Sequence, residues 1–84
     1  MPPLDTLKID RAFVHGMMKE PRDRSIVSAI LSLARALKLK VVAEGVEAEI
    51  EATVLRDLGC HQAQGFFFSR PQPVEKLEEL LERL

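Results

Sequence analysis

Three polar residues, Lys8, Glu44 and Gln64, each fall near the end of a short stretch that is typical of a β-strand. If the three strands are parallel, their carboxyl ends meet at one edge of the sheet, where barrel enzymes carry their catalytic groups. Glu44 is the most distinctive, because it ends the stretch VVAE directly before Gly45. The residue types predict a functional cluster, and an internal polar network or chance are the alternatives.

Side chains alternate between the two faces of a β-strand, so position along each strand predicts which residues lie together. Leu7 and Ile9 are expected to face the helices, and the polar residues of the same strand the opposite side. The same alternation puts the polar ends of the other two strands on that opposite side. The residues expected there are Lys8, Asp10, Val42, Glu44, Gln62 and Gln64.

The first strand is predicted over residues 6–10 and is followed by a helix over 24–37, where apolar residues recur at helical spacing. Asp23 is the predicted N-cap of this helix. A loop containing Gly16 and Pro21 is expected between the strand and the helix.

Two further strand and helix pairs follow. A second strand over 40–44 precedes a helix that stops at Gly59, and a third strand begins near 61–64. Pro73 is expected in the first turn of the last helix. The second helix is predicted to bury Ile50, Val54, Leu55 and Leu58, and the last helix Val74, Leu77, Leu80, Leu81 and Leu84.

Strands that alternate with helices predict an α/β fold with parallel strands and right-handed crossovers. An open doubly wound sheet and a (β/α)₈ TIM-type barrel are both compatible with this order. The polar strand ends favour a partial barrel of about three consecutive βα units, βαβαβα, in a single domain over residues 1–84.

Composition excludes several classes of function. Hydrophobic residues make up 46% of the 84 residues and charged residues 30%, which is typical of a soluble globular protein. Because 12 basic and 13 acidic residues give a net charge of −1, charge provides no basis for nucleic-acid binding. No apolar run approaches the ~20 residues of a membrane span, and no signal peptide is recognisable.

The thiol and imidazole groups are expected to be structural. The single cysteine, Cys60, excludes an intrachain disulfide and fits a reducing cytoplasm, the predicted location. It is interpreted as a small buried thiol and not as a nucleophile. His15 and His61 are too far apart in sequence for a recognisable metal-ligand motif.

Three segments, LDTLKIDRAFV, VVAEGVEAE and LGCHQAQGFFFSRP, resemble in order and spacing the C-terminal part of an EAL domain. The resemblance implies a (β/α)₈-type barrel with one irregular antiparallel strand, which hydrolyses cyclic di-GMP to pGpG. It also implies two divalent ions, Mg²⁺ or Mn²⁺. A metal pair can deprotonate a bridging water and neutralise charge on the phosphate, and such hard ions require oxygen ligands.

The resemblance implies roles for four residues. Lys8 of KID matches the lysine that orients or activates the attacking water, and Glu44 of AEGVE matches a glutamate at the metal and water site. Glu47 matches a glutamate that steadies the loop beside the site, and Gln64 a glutamine that hydrogen-bonds within the metal–water cluster.

Structural explanations compete with some of these roles. Lys8 could instead form an ion pair with Asp10 or Glu44, and Glu47 could be an acidic residue favoured by the helix dipole. One of the three phenylalanines 66–68 could stack on guanine, although at least two are expected in the core. Glu49 and Glu51 are interpreted as solvated helix surface.

Most of the family's metal ligands have no counterpart in this sequence. The Glu-Ala-Leu motif, the asparagine and glutamate ligands after it and the paired aspartates before the KID strand are absent. The chain alone is therefore expected to be an inactive fragment of a phosphodiesterase domain that binds no metal stably. GGDEF or sensory domains are expected partners in the parent protein. A non-catalytic dinucleotide-binding or self-associating module is the alternative.

A partial barrel would leave sheet edges and its inner face uncovered. Uncovered edges accept strands from other chains, and parallel sheets are normally covered on both faces. We therefore expect a homo-oligomer that buries the surface corresponding to the barrel interior.

Overall fold

In the described part of the chain, four β-strands form one sheet whose spatial order equals their order in the sequence. This arrangement is taken from a computed structural model, which describes residues 6–65 and 70–83. The predicted α/β class with a mainly parallel sheet is confirmed. The elements are β1 (Thr6–Ile9), α1 (Arg11–Gly16), α2 (Pro21–Ala36), β2 (Lys40–Val46), α3 (Glu49–Asp57), β3 (Gln62–Gly65), β4 (Gln72–Pro73) and α4 (Val74–Glu82).

The register of the three parallel strands confirms the predicted division of side chains between the two sheet faces. One row consists of Ile9, Ala43 and Ala63, which are aligned across the strands and fully buried. The preceding row belongs to the opposite face, as does the pair formed by Glu44 and Gln64. That preceding row consists of Lys8, Val42 and Gln62.

The hydrophobic core lies between the apolar sheet face and the helices. Each helix of the described ranges contributes to it, because each presents apolar residues toward the same layer. None of the helices in the described part of the chain has the length and hydropathy that a membrane span needs. Core residues from the helices include Val14, Val27, Leu31, Ala52, Leu55, Val74 and Leu77.

The segment between β1 and α2 is not the loop that the sequence predicted. It begins with helix α1, whose N-cap is Asp10, and the Asp10 carboxylate accepts a hydrogen bond of 3.2 Å from the Ala12 N–H. Aspartate is a favoured N-cap because its side-chain oxygen satisfies an otherwise unpaired N–H of the first turn. Asp10 therefore has a structural role as the cap of α1.

The predicted start of α2 was also wrong. The helix begins at Pro21 with Glu20 as N-cap, so Asp23 lies within the first turn. Proline is tolerated at the first helical position, where its missing N–H would have no partner in the helix. Pro21 is therefore a helix residue and not the predicted loop residue, and α2 begins three residues before the predicted start at 24.

The expectation of parallel strands only was wrong for β4. This two-residue strand pairs antiparallel with β3, through Gln62 with Pro73 and Ala63 with Gln72. Proline cannot donate to a sheet ladder, which limits the pairing of this strand. Pro73 is also the N-cap of α4, one residue before the predicted position. Phe66, Phe67, Phe68 and Leu84 lie outside the described residues.

The predicted apolar face of α3 was partly wrong. Val54 and Leu55 are buried as expected, but 54% of the Ile50 surface is exposed. Glu51, predicted at the surface, is buried instead. In the first turn of α3, the Glu51 side chain therefore points toward the protein interior and Ile50 points toward solvent.

Cys60 is a buried thiol, as the sequence predicted. Its Sγ donates a hydrogen bond of 3.3 Å to the carbonyl of Gln62. Burial raises the pKa of the Cys60 thiol above its ordinary value of 9.0, and this outweighs the opposite effect of backbone groups of Gln62 and Ala43. Because the thiolate is the reactive form, the folded chain holds Cys60 in an unreactive state.

We predict that iodoacetamide labels Cys60 much more slowly in the native chain than in urea at about pH 8. Because the pKa of this thiol is higher in the folded than in the unfolded chain, the buried thiol contributes fully to the free energy of unfolding below its ordinary pKa. That contribution is lost as the pH rises through the pKa of the folded state. Mass spectrometry of the labelled chain measures the rates. Equal rates with and without urea would contradict the burial of this thiol.

Candidate functional site

A cleft of about 300 Å³ lies at the carboxyl ends of the parallel strands. It brings together three of the four predicted site residues, Glu44, Glu47 and Gln64. Lys8 does not line it. The full lining consists of Asp10, Arg11, Glu44, Gly45, Glu47, Gln64 and Gly65.

Glu44 and Gln64 are neighbours across β2 and β3. The two residues are aligned in the parallel register, so their side chains leave the same sheet face about 5 Å apart. Both are half-buried. Glu44 forms no hydrogen bond or ion pair with another residue in the described ranges 6–65 and 70–83. Its carboxylate is therefore available to a ligand from the side of the cleft.

Lys8 lies on the same face, one row before this pair. It is aligned with Val42, two residues before Glu44, which corresponds to about 7 Å along the strands. Its side chain is exposed and forms no ion pair with Asp10, Glu44 or any other described residue. The alternative explanation of Lys8 as an ion-pair partner of these carboxylates therefore finds no support.

A β-bulge lies at Gly45, immediately after Glu44, and β2 continues beyond it to Val46, which pairs with Gly65. The pairing of β2 with β3 skips this residue, and Gly45 has φ of +74°, which is strained for residues with a side chain. A Cβ at Gly45 would lie 2.7 Å from Cγ of Arg11. The glycine of the AEG motif is thus required both by backbone conformation and by the Arg11 side chain that lies across it.

Glu51 holds the loop that follows the bulge. Its Oε1 accepts hydrogen bonds from the N–H groups of Glu47, at 2.9 Å, and Ala48, at 3.2 Å. Only 6% of Glu51 is exposed, so its expected place on the helix surface was wrong. These bonds are one half of a capping box, in which the third helical residue reaches back to the N-cap.

His15, a residue of α1, contacts the Glu51 carboxylate. Its Nδ1 lies 2.6 Å from Oε2 of Glu51, and its Nε2 lies 3.9 Å from Oε1 of Glu47. The imidazole therefore bridges the helix after β1 and the loop after β2. The Glu47 carboxylate is half-exposed and points to the cleft, so its predicted role in steadying the loop stays a prediction.

Sequence reasoning missed Arg11, His15 and Glu51. The usual sequence signal for such a residue is the capping-box pattern, Ser or Thr followed three residues later by Glu or Gln. Ala48 occupies the Ser or Thr position and hides the pattern. No comparable signal exists for His15 and Arg11, because both act across elements that are distant in sequence.

The cleft is formally negative. Three carboxylates, of Asp10, Glu44 and Glu47, face one guanidinium, of Arg11, which gives a formal charge of −2. A phosphodiester anion would be repelled unless cations neutralise these groups. Within residues 6–65 and 70–83, however, no group of three or more His, Cys, Asp or Glu side chains is arranged to hold a metal ion. The donors described here do not fit a pair of divalent ions.

Comparison with known proteins identifies the family. The family model for the EAL domain matches residues 2–71. A bifunctional diguanylate cyclase/cyclic di-GMP phosphodiesterase, MucR of Pseudomonas aeruginosa, is 49% identical over 89% of this chain and 11% of its own length. The recognition of an EAL segment from the three sequence motifs is thereby confirmed.

Solved EAL structures share the fold. The EAL enzyme Bd1971, in a form with cAMP and cyclic di-GMP bound, matches 94% of this chain and 21% of its own chain with a TM-score of 0.76 and 40% identity. Klebsiella pneumoniae BlrP1, in a complex with calcium and cyclic di-GMP, matches 83% of this chain and 18% of its own with a TM-score of 0.72 and 34% identity. The curated relatives are much longer, and this chain spans between 10% and 13% of them.

Replacing Glu51 by alanine is predicted to destabilise the fold by about 2 kcal/mol, because two N–H groups lose a charged acceptor. Urea unfolding followed by circular dichroism measures the change. Glu49→Ala is the matched control, since Glu49 lies on the exposed side of the same turn. A loss of at most about 0.5 kcal/mol is expected for it. Equal losses in both variants would contradict the bracing role of Glu51.

Ala48→Thr is predicted to stabilise the chain by about 1 kcal/mol, since a hydroxyl at this N-cap can accept a hydrogen bond from the first turn of α3. The backbone of Ala48, with φ of −130° and ψ of 146°, already has the extended N-cap conformation. Ala48→Val adds a similar volume without the hydroxyl and should give no gain. Thermal unfolding of both variants tests the prediction, which fails if valine stabilises as much as threonine.

Proposed function

This chain belongs to the EAL-domain family, and we propose that it is the C-terminal segment of a domain that hydrolyses cyclic di-GMP to pGpG. The observation that carries the proposal is the alignment of Glu44 with Gln64 at the carboxyl ends of adjacent parallel strands. Both line a polar cleft together with Glu47, and all three lie within the motifs that match the family. In a barrel, this edge of the sheet carries the catalytic groups.

Each predicted site residue is proposed to keep its family role in the complete domain. Glu44 provides a carboxylate ligand at the metal and water site, and Gln64 a hydrogen bond to that cluster. Lys8, on the same face and without an ion-pair partner among the described residues, orients or activates the water. Glu47 steadies the loop after the bulge.

The chain alone is proposed to be inactive and to bind neither Mg²⁺ nor Mn²⁺ stably. Six oxygen ligands surround a Mg²⁺ ion, and the three carboxylates that line the cleft, of which Asp10 caps α1, cannot supply them for two ions. The remaining ligands are proposed to come from other parts of a (β/α)₈ barrel, of which this chain supplies about three βα units. The chain by itself therefore completes no hydrolytic step.

Further domains and self-association belong to the same proposal. MucR is named as a protein with both cyclase and phosphodiesterase activities, which supports a GGDEF or sensory domain as partner in a longer protein. In isolation, the 84-residue chain is proposed to associate with itself in the cytoplasm, because the sheet has an edge strand that can accept another strand.

A non-catalytic module derived from an EAL domain is the second candidate. It is favoured by the absence, among the described residues, of a group that could hold a metal ion. Such a module would bind the dinucleotide without hydrolysis or would only self-associate. Calorimetric titration of the chain with cyclic di-GMP distinguishes these two forms.

A chimera tests the proposed function. We predict that this segment, exchanged for the corresponding part of the MucR phosphodiesterase domain, supports conversion of cyclic di-GMP to pGpG in the presence of Mg²⁺. Glu44→Gln or Lys8→Ala in the chimera should lower the rate by roughly 100-fold or more, as for the loss of a group in direct contact with the reaction. Glu49→Gln is the matched control and should leave the rate unchanged.

The isolated chain is expected to form no pGpG under the same conditions. A folded but inactive chimera would favour the non-catalytic module. Turnover by the isolated chain that is abolished by Glu44→Gln would overturn the proposal that the chain alone is incomplete.

A further inference from the structure

His15 lies where helix α1 meets the loop beside the cleft. Its Nδ1 is 2.6 Å from Oε2 of Glu51, and its Nε2 is 3.9 Å from Oε1 of Glu47. The two carboxylates differ in their surroundings, because only 7% of the Glu51 side chain is exposed but 50% of the Glu47 side chain. One nitrogen of the imidazole thus faces a fixed acceptor, and the other faces a carboxylate that has room to move.

The contact with Glu51 fixes a proton on Nδ1. A carboxylate accepts hydrogen bonds and donates none, and Oε1 of Glu51 already accepts the N–H groups of Glu47 and Ala48. At 2.6 Å, Oε2 of Glu51 therefore accepts from Nδ1–H of His15. This bond exists whether the imidazole is neutral or protonated, so Glu51 holds the ring in one orientation in both states.

The hydrogen-bonding capacity of Nε2 depends on pH. A neutral imidazole with its proton on Nδ1 has a lone pair at Nε2, which cannot donate to a carboxylate. Protonation gives the same atom a hydrogen to donate and a positive charge, and histidine is the side chain whose charge ordinarily changes between about pH 5 and pH 8. The distance of 3.9 Å to Glu47 is too long for a hydrogen bond, and a shift of about 1 Å closes it to hydrogen-bond length.

Other charged groups surround this contact without pairing with the imidazole. Within residues 6–65 and 70–83, the ion-pair contacts of His15 are those with Glu47 and Glu51. These other groups remain the same when a histidine is substituted, so a histidine variant isolates the contact. On α1 and the elements around it they are Asp10, Arg11, Lys19, Asp23 (which packs on Gly16), Glu44 and Glu49.

We propose that His15 is a positioning residue that directs the Glu47 carboxylate according to pH. When the imidazole is neutral, this carboxylate stays in the cleft beside Glu44. When the imidazole is protonated, Nε2–H donates to Oε1 of Glu47 and draws it toward α1, while Nδ1–H keeps its bond to Glu51. The loop is then tied to α1 through two carboxylates instead of one, which gives the predicted loop-steadying role of Glu47 a physical basis.

The consequence for the cleft is a change of charge. With Glu47 turned toward the cleft, its formal charge is −2. With Glu47 paired to His15, the carboxylates of Asp10 and Glu44 face the guanidinium of Arg11, and the formal charge is −1. A phosphodiester anion is therefore repelled less as the pH falls. This consequence rests on the proposed function, whereas the movement of Glu47 does not.

The test is an NMR titration of the 84-residue chain between about pH 5 and pH 8, which follows the His15 ring and the carboxyl carbon of Glu47. His15→Asn is the decisive variant, because its amide can donate to Glu51 in place of Nδ1–H but does not titrate. His15→Gln is a second variant, whose longer amide reaches the place of Nε2, also without titrating. Circular dichroism checks that each variant is folded.

His61→Asn is the matched control. His61 is the only other histidine of the sequence, and it is exposed directly before β3, at the end of the sheet opposite the cleft. A general effect of pH on the fold would persist in every variant, whereas an effect of the His15 contact persists in this one and not in the two His15 variants.

In the unmodified chain, the Glu47 carboxyl shift should change in a step with the same midpoint as the His15 ring. The step should be absent from both His15 variants and unchanged in His61→Asn. In the MucR chimera, the KM for cyclic di-GMP should be roughly threefold lower with His15 than with His15→Asn at about pH 5.5, and equal at about pH 8.

Several results would overturn the proposal. A Glu47 step that persists in a folded His15 variant would show that this carboxylate responds to pH without the imidazole. Absence of the step from the unmodified chain, or its loss in His61→Asn, would have the same force. Equal KM values at both pH values would exclude the effect on the cleft. An inactive chimera would overturn the proposed function, while the titration of the isolated chain would still decide whether His15 directs Glu47.

Discussion

The fold depends on one buried row of side chains across the parallel strands. Ile9, Ala43 and Ala63 are aligned and fully buried, and the two alanines allow the helices to approach the sheet closely. Because strand side chains alternate, this apolar row forces the residues before and after it to the other face. Lys8, Glu44 and Gln64 therefore lie on the same sheet face as a consequence of core packing.

The segment after β2 shows how a short motif is held in place by residues outside it. Gly45 turns the chain through a bulge that requires a positive φ, and the loop then depends on the buried carboxylate of Glu51. His15 connects that carboxylate to the helix after β1. The loop beside Glu44 is thus held by a polar contact between α1 and α3. The position of the loop therefore depends on how these two helices pack.

The same three parallel strands explain both the chemistry that the chain can contribute and what it lacks. Their carboxyl ends supply a carboxylate and an amide to one cleft, yet the cleft is formally negative and the described donors cannot surround a metal ion.

The sequence by itself determined the α/β class, the three parallel strands, the face on which the polar residues lie and the family. Each of these depends on local periodicity or on short motifs, which neighbouring residues specify almost alone. Only the tertiary structure decided that Glu51 is buried, that His15 reaches it, that α1 replaces a loop and that β4 pairs antiparallel. The physical reason is that these features depend on contacts between residues distant in the chain. A carboxylate is stable inside a protein only where donors from other segments meet it, and sequence spacing does not reveal those donors.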